Sequence, residues 1–418
     1  MNLILSTDSY KMTHHGMYPD DVTTVSSYLE ARAGSGLQDV VWFGLQAILK
    51  KYLSKPVTNE DLYRAQALAS RHFSTDQLNF KGWKHIIDTY GGQLPLRIYA
   101  LPEGTIVPRG TPLMVVENTD PKTPWLTNYI ETLLMHVWYP TTVASVSYDL
   151  KKFFDANVTG GAPQFMLHDF GYRGCSSHES AEMGGMAHLL SFMGTDTVPA
   201  MLAAQRYYGA SLDGLAYSVA ATEHSIMTQY GQEGEDSLIR HLMATHPNQI
   251  LSLVADSYDY YAFVQKVVKN LDVARQFKCQ VVIRPDSPTP QHPDPADLIN
   301  WTLINTPQHV NVLWGDGLTP DQIKDIVLRV DAVERKRLVF GMGGGLLQKV
   351  NRDTLRFALK CSAVKKDDGQ WHSVQKNPLD QTKASKAGRQ VTSLMDLVFD
   401  NGLLTQQDTF ATIRSRVQ

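Results

Sequence analysis

Cysteine is scarce: the 418 residues include only Cys175, Cys279 and Cys361. Three is an odd number and no two form a C-x-x-C pair, which excludes a disulfide framework and a cysteine zinc site. No His-x-x-x-His spacing exists either, since His178-Glu179 is followed by Glu182 rather than by a second histidine. No Gly-Lys dipeptide occurs, so there is no Walker loop, and no G-x-S-x-G elbow marks an α/β-hydrolase nucleophile. An excess of one charge is also missing. Lys and Arg number 39 against 42 Asp and Glu, a formal net charge of -3. That balance argues against nucleic acid or an anionic membrane as partner, although a small anionic ligand needs only a few cations in one pocket. The most apolar long stretch, Trp125–Tyr148, is interrupted by Glu131, His136 and Pro140, so no membrane span is expected. The first residues turn polar at Asp8, before a signal-peptide core could form, and a cytoplasmic location is expected.

Apolar residues, at 43%, are enough to build a large core. Val22–Arg32 alternates like a strand, while Val41–Leu53 and Asn59–His72 carry helical spacing. Leu96–Ala100, Thr105–Val107 and Leu113–Val116 read as antiparallel strands. Trp125–Asp155 reads as one long helix, bent or split at Pro140. From about residue 164 short apolar strands alternate with helical sequence. The strands expected are Gln164–Leu167, Ala216–Ala220, Ile250–Ala255, Gln280–Ile283, Val310–Trp314 and Arg337–Phe340. Each ends in a polar or Gly-rich cluster, and Asp256, Asp286 and Asp316 recur at one βα unit's length. This pattern predicts a parallel α/β barrel with its chemistry at the C-terminal mouth, an open doubly wound sheet being the alternative. The barrel is expected over residues 151–356. Residues 1–150 and the tail 357–418, with a hairpin turn at Asp367-Asp368-Gly369, are expected to build a β-rich domain.

The clusters suggest a phosphorylated ligand. Gly341-Met342-Gly343-Gly344-Gly345 follows a strand, and successive backbone N–H groups there could cradle an anion, although a tight turn would also use glycine. Arg284 offers a planar fork for phosphate. Asp256, Asp286 and Asp316 could hold ribose hydroxyls or, through water, magnesium, but each could equally be a helix N-cap. His168–Gly174 offers the ring of Phe170 and the cation of Arg173. Glu223-His224-Ser225 sets an imidazole beside a carboxylate. On these residues alone, another phosphosugar barrel enzyme, a lyase or isomerase, stays open.

Together the clusters resemble the nicotinamide phosphoribosyltransferase family. The resemblance runs from Thr7-Asp8-Ser9-Tyr10-Lys11 through Pro108-Arg109-Gly110, His168–Gly174, Gly194-Thr195-Asp196-Thr197, Glu223-His224-Ser225, Asp256-Ser257-Tyr258-Asp259, Arg284-Pro285-Asp286-Ser287 and Gly315-Asp316-Gly317 to Gly343–Lys349 with Arg352. It implies a type II phosphoribosyltransferase: a barrel with a β-rich domain, acting as a homodimer with shared active sites on nicotinamide, phosphoribosyl pyrophosphate, Mg2+ and ATP. By similarity, Phe170 stacks on nicotinamide with the partner's Tyr10 on its other face, and Asp196 bonds the carboxamide. Arg173, His224 and Arg284 meet diphosphate. Arg284, Asp286, Gly315, Asp316, Gly343, Gly344 and Arg352 hold the ribose phosphate. His224 is implied as the histidine that ATP phosphorylates. The metal ligands stay open, with Asp256 and Asp286 the candidate neighbours of Mg2+ from their strand-end positions, and by similarity Lys383 and Lys386 lie near the active-site mouth. One departure is Pro288, where the family commonly has glycine. Nicotinate phosphoribosyltransferase and a non-catalytic ligand-binding dimer are the alternatives on the same fold.

Overall fold

The alternating and continuous apolar runs become sixteen strands in the computed structural model, which describes residues 1–380 and 383–418. In chain order the strands of the first region are β1 (Val22–Ala31), β2 (Asp39–Val41), β3 (Leu96–Ala100), β4 (Ile106–Pro108) and β5 (Pro112–Asn118). The middle region supplies β6 (Leu167–Asp169), β7 (Gly194–Thr195), β8 (Ala220–Ala221), β9 (Ile250–Val254), β10 (Gln280–Arg284), β11 (Asn311–Trp314) and β12 (Leu338–Met342). The tail adds β13 (Phe357–Lys366), β14 (Trp371–Ser373), β15 (Asp396–Asp400) and β16 (Leu403–Leu404). Two compact units result. One comprises Met1–Ser145, Ala204–Ala210 and Asn351–Gln418; the other comprises Val146–Ala203 and Ser211–Val350.

The first unit is organised by an antiparallel sheet of order β14-β13-β1-β5-β3-β15-β16. N-terminal and C-terminal sequence meet along β1 and β13, which pair from Val22↔Lys366 to Ala31↔Phe357. The β13–β14 hairpin turns at Asp367-Asp368-Gly369, where Gly369 takes a φ of 77° that glycine adopts without strain. The tail ends in a helix, Phe410–Val417, which its strand-like neighbours did not announce.

The second unit holds a parallel sheet of order β7-β6-β12-β11-β10-β9-β8. Its edge strand β7 makes a single parallel bridge, Gly194↔Tyr217, to the segment three residues before the other edge strand β8, with Thr195 N–H on Tyr217 O (3.0 Å) and Tyr217 N–H on Met193 O (2.7 Å). The strands therefore follow chain order around a barrel whose two edge strands share no ladder, β12 pairing back onto β6. Buried on both faces, β9, β10 and β11 read as continuous apolar runs because parallel strands leave no face to water.

Three expected elements differ. The long helix is three pieces, Leu126–Tyr129, Glu131–Met135 and Trp138–Asn157. The breaks precede Pro140, which sits in the first turn of the last piece, where its missing N–H has no helical partner to lose. The strand expected over Gln164–Leu167 starts at Leu167, because Pro163 opens a 3-10 turn over Pro163–Phe165. Within Val41–Leu53 the helix begins only at Leu45; Val41 belongs to β2. Among the described residues no helix is long and apolar enough to cross a membrane.

Candidate active site

All seven barrel strands end at the same mouth, so the residue just past each strand is brought there by topology alone. An open cavity of about 430 Å³ is lined there by Phe170, Arg173, Arg284, Asp286, Gly315, Asp316, Gly343 and Gly344, together with Gly171, Gly174, Gly317, Leu318, Gly345, Gln348 and Lys349. Eight residues expected at a phosphate-handling site thus share one wall. Tyr10, Arg352 and Lys383 belong to the other unit. There Tyr10 is exposed beside His14, Arg352 pairs with Asp353 and Lys383 pairs with Asp380. Lys386 pairs with the buried Glu30 at 3.3 Å.

Glycine shapes the wall. A Cβ on Gly341 would stand 2.1 Å from Phe170 Cε2, so only glycine lets that ring lie on the barrel rim. A Cβ on Gly345 would meet Leu318 O at 2.1 Å, so the glycine-rich turn packs backbone to backbone on the loop after β11. The turn leads into a single helical turn, Gly344–Leu347.

The three strand-end aspartates are not helix caps. The caps of the following helices are Asp259, Asp294 and Thr319, each accepting from a first-turn N–H. Asp286 instead faces the cavity with Oδ1 3.7 Å from Arg284 Nε, and Asp316 is exposed on it. Asp256 accepts from His224 Nε2 at 2.9 Å through Oδ1 and from Ser287 Oγ at 2.6 Å through Oδ2. His224 is the first residue of the helix His224–Thr245, half-exposed beyond β8, and with Asp256 it forms a pair that does not line the cavity. Asp196 also lies outside the cavity wall, exposed beyond β7, and accepts from Ser218 Oγ at 2.5 Å.

Magnesium prefers one or two carboxylates, several waters and substrate phosphate oxygens. Asp286 fits that role; Asp256 has both oxygens engaged, and among the described residues no three His, Cys, Asp or Glu side chains converge as a metal site.

Beneath the mouth, Asp169 at the end of β6 is fully buried, and burial pushes its carboxyl up to about 6. The Gly171 N–H opposes that shift at 2.7 Å and the neighbouring Asp196 reinforces it. Burial also holds the His168 imidazole below its usual range. Asp169, Ser218, Ser287 and Gln348 were not singled out from sequence. The contacts of Ser218, Ser287 and Gln348 span 22 to 177 residues of chain, and that of Asp169 to Gly171 is local but its burial is not, so a single sequence carries no sign of either.

Comparison with known proteins agrees with this architecture. Residues 165–408 match the nicotinate phosphoribosyltransferase (NAPRTase) family, and residues 2–98 match the nicotinamide phosphoribosyltransferase N-terminal domain. A nicotinamide phosphoribosyltransferase of Xanthomonas campestris pv. campestris is 41% identical, over 94% of this chain and 88% of that protein. One from Mycoplasma pneumoniae is 32% identical over 96% of each. Among solved structures, a nicotinate-nucleotide pyrophosphorylase of Pyrococcus furiosus superposes with a TM-score of 0.63 at 17% identity, covering 100% of this chain and 95% of that one. Human nicotinic acid phosphoribosyltransferase gives 0.62 at 16%, covering 99% and 93%. These two likenesses concern the fold.

Proposed function

The chain belongs to the nicotinate phosphoribosyltransferase family and is a pentosyltransferase of NAD salvage; we propose that its reaction joins nicotinamide to phosphoribosyl pyrophosphate, giving nicotinamide mononucleotide and diphosphate. The observation that carries this reading is the cavity, which sets an aromatic ring, two guanidinium groups, two carboxylates and a glycine-rich turn on one wall. The pyridine nitrogen attacks the anomeric carbon, and the bonding pair of the broken C–O bond leaves with diphosphate. No general base is required, because that nitrogen already carries a lone pair.

The residues divide the work by charge. Phe170, with Tyr10 of a partner subunit, is assigned to the faces of the base. Asp196 is assigned to its carboxamide. Arg173 and Arg284 neutralise the charge growing on diphosphate, where fixed cations act most strongly on the transition state. Asp286 and Asp316 suit the ribose hydroxyls, and the backbone of Gly343 and Gly344 suits the 5′-phosphate. When bound, Mg2+ would add charge neutralisation on the diphosphate beside Asp286.

ATP coupling is assigned to His224. With Nε2–H donated to Asp256, the lone pair of Nδ1 is left as the nucleophile for the γ-phosphoryl group, and ADP departs. The position at a helix start suits the added negative charge.

Turnover with phosphoribosyl pyrophosphate and either nicotinamide or nicotinate, with and without ATP, tests the whole reading. Nicotinamide mononucleotide is expected as the main product, made faster with ATP. Turnover of nicotinate alone would place the chain with nicotinate enzymes, and none with either base would leave a binding protein. His224→Ala is expected to stop ATP hydrolysis and leave ATP-independent synthesis. Parental ATP hydrolysis by that variant would remove the histidine assignment.

A further inference from the structure

Gly171 is held at both of its main-chain polar groups. Its N–H donates to Asp169 Oδ1 at 2.7 Å, and its carbonyl accepts from Gln348 Nε2 at 3.0 Å. Gln348 closes the short helix that follows the glycine-rich turn, its own N–H on Gly344 O at 3.0 Å. The same amide nitrogen lies 3.2 Å from Cys175 Sγ, at the far end of the Phe170 loop. The loop also rests directly on that helix: a Cβ on Gly171 would stand 2.5 Å from Leu347 Cδ1, and one on Gly174 would stand 2.7 Å from Gln348 Oε1. Two glycines thus leave the space that Leu347 and Gln348 fill. One glutamine side chain joins the turn suited to a phosphate with the loop that carries Phe170 and Arg173.

We propose that Gln348 is a positioning residue that couples the phosphate-binding turn to the base-binding loop, so that a sugar phosphate on the first tightens nicotinamide on the second. This inference rests on the proposed division of the site between base and phosphate. A ligand that orders the Gly343–Gly345 turn fixes the helix, and Gln348 transmits that order to Gly171 and hence to the adjacent Phe170. Binding coupled in this way is reciprocal, since each ligand changes the other's affinity by the same factor.

Equilibrium binding of nicotinamide to the full-length protein, with and without saturating ribose 5-phosphate, measures the coupling without turnover. In the parent, ribose 5-phosphate is expected to tighten nicotinamide by roughly fivefold or more. Gln348→Ala, and Gln348→Met, which keeps the length but removes the donor, are expected to bring that ratio to near one. Each is scored by that ratio rather than by nicotinamide affinity alone, because Gln348 itself lines the cavity. A merely structural staple would lower thermal stability and leave the ratio intact, and that result, or a parental ratio of one, overturns the proposal. Phe170→Ala serves as the separate check. If it leaves nicotinamide affinity unchanged, the base-site assignment fails, whatever Gln348 does.

Discussion

Asp196 meets the solvent with one oxygen already engaged by Ser218, which fixes the carboxylate and leaves the second oxygen to accept a hydrogen bond. A carboxamide NH2 can donate to it. A nicotinate carboxylate would instead bring a like charge against it. Losing a charge-assisted hydrogen bond costs roughly 1.5–3 kcal/mol, so preference for nicotinamide over nicotinate is expected to be at least about tenfold. Asp196→Ser should lose most of that preference in the ratio of kcat/KM for the two bases while remaining folded; an unchanged ratio would reduce Asp196 to a structural role. Asp169 tests a different property. Its raised carboxyl favours the protonated form in the folded chain, so its contribution to stability is full below the ordinary aspartate range near 4 and is lost as pH rises through about 6. The loss is on the order of 3 kcal/mol. Asp169→Asn should therefore flatten the fall in urea-melt stability between those pH values, and identical slopes for parent and variant would count against the burial argument. These two residues also mark how far the sequence could be read. Asp196 stands in a motif with a recognisable order, whereas Asp169 looks like any strand-end aspartate until Gly171 and the buried floor beneath it are seen.

At the level of elements, legibility followed locality. Strands β9, β10, β11 and β12 lie within two residues of where their apolar runs end. Strand β7, two residues long, had no run to announce it, and β8 sits at the far end of the segment expected as a strand over Ala216–Ala220. The glycines at the end of β12 and just after it suggest close approach to a ligand. The structure adds a second reason, because Gly341 and Gly345 each take a neighbouring group at 2.1 Å from where a Cβ would be. This gives a prediction for the strand and loop together. Gly341→Ala should push the Phe170 ring off the rim and remove its stacking, worth about 0.5–1.5 kcal/mol. KM for nicotinamide should rise about twofold to tenfold, with KM for phosphoribosyl pyrophosphate little changed. An equal rise in both constants would show that the rim as a whole had shifted.

For the whole molecule, the assignment of Tyr10 to a partner subunit predicts a dimer whose sites need both chains. Tyr10→Ala and Phe170→Ala should each lose about twofold to tenfold in kcat/KM for nicotinamide, the cost of one stacking face. Refolded together in equal amounts, they should exceed the activity of either variant alone, since half the dimers then carry one intact site. Absence of recovery, or a fully active monomer in sedimentation, would place Tyr10 elsewhere.

Strand β7 is joined to the segment three residues before β8 by one isolated bridge, Gly194↔Tyr217, whereas the neighbouring strands of the sheet share ladders. That junction behaves as a seam. The Asp196–Ser218 hydrogen bond crosses it immediately beyond the bridge, so the group assigned to choose the base also helps keep the barrel wall shut. On the proposed assignment, a carboxamide held by Asp196 would add a second contact at this seam and so tie base selection to wall closure. Amide hydrogens at Thr195 and Tyr217 should accordingly exchange faster than those of β10 and slow when nicotinamide is bound.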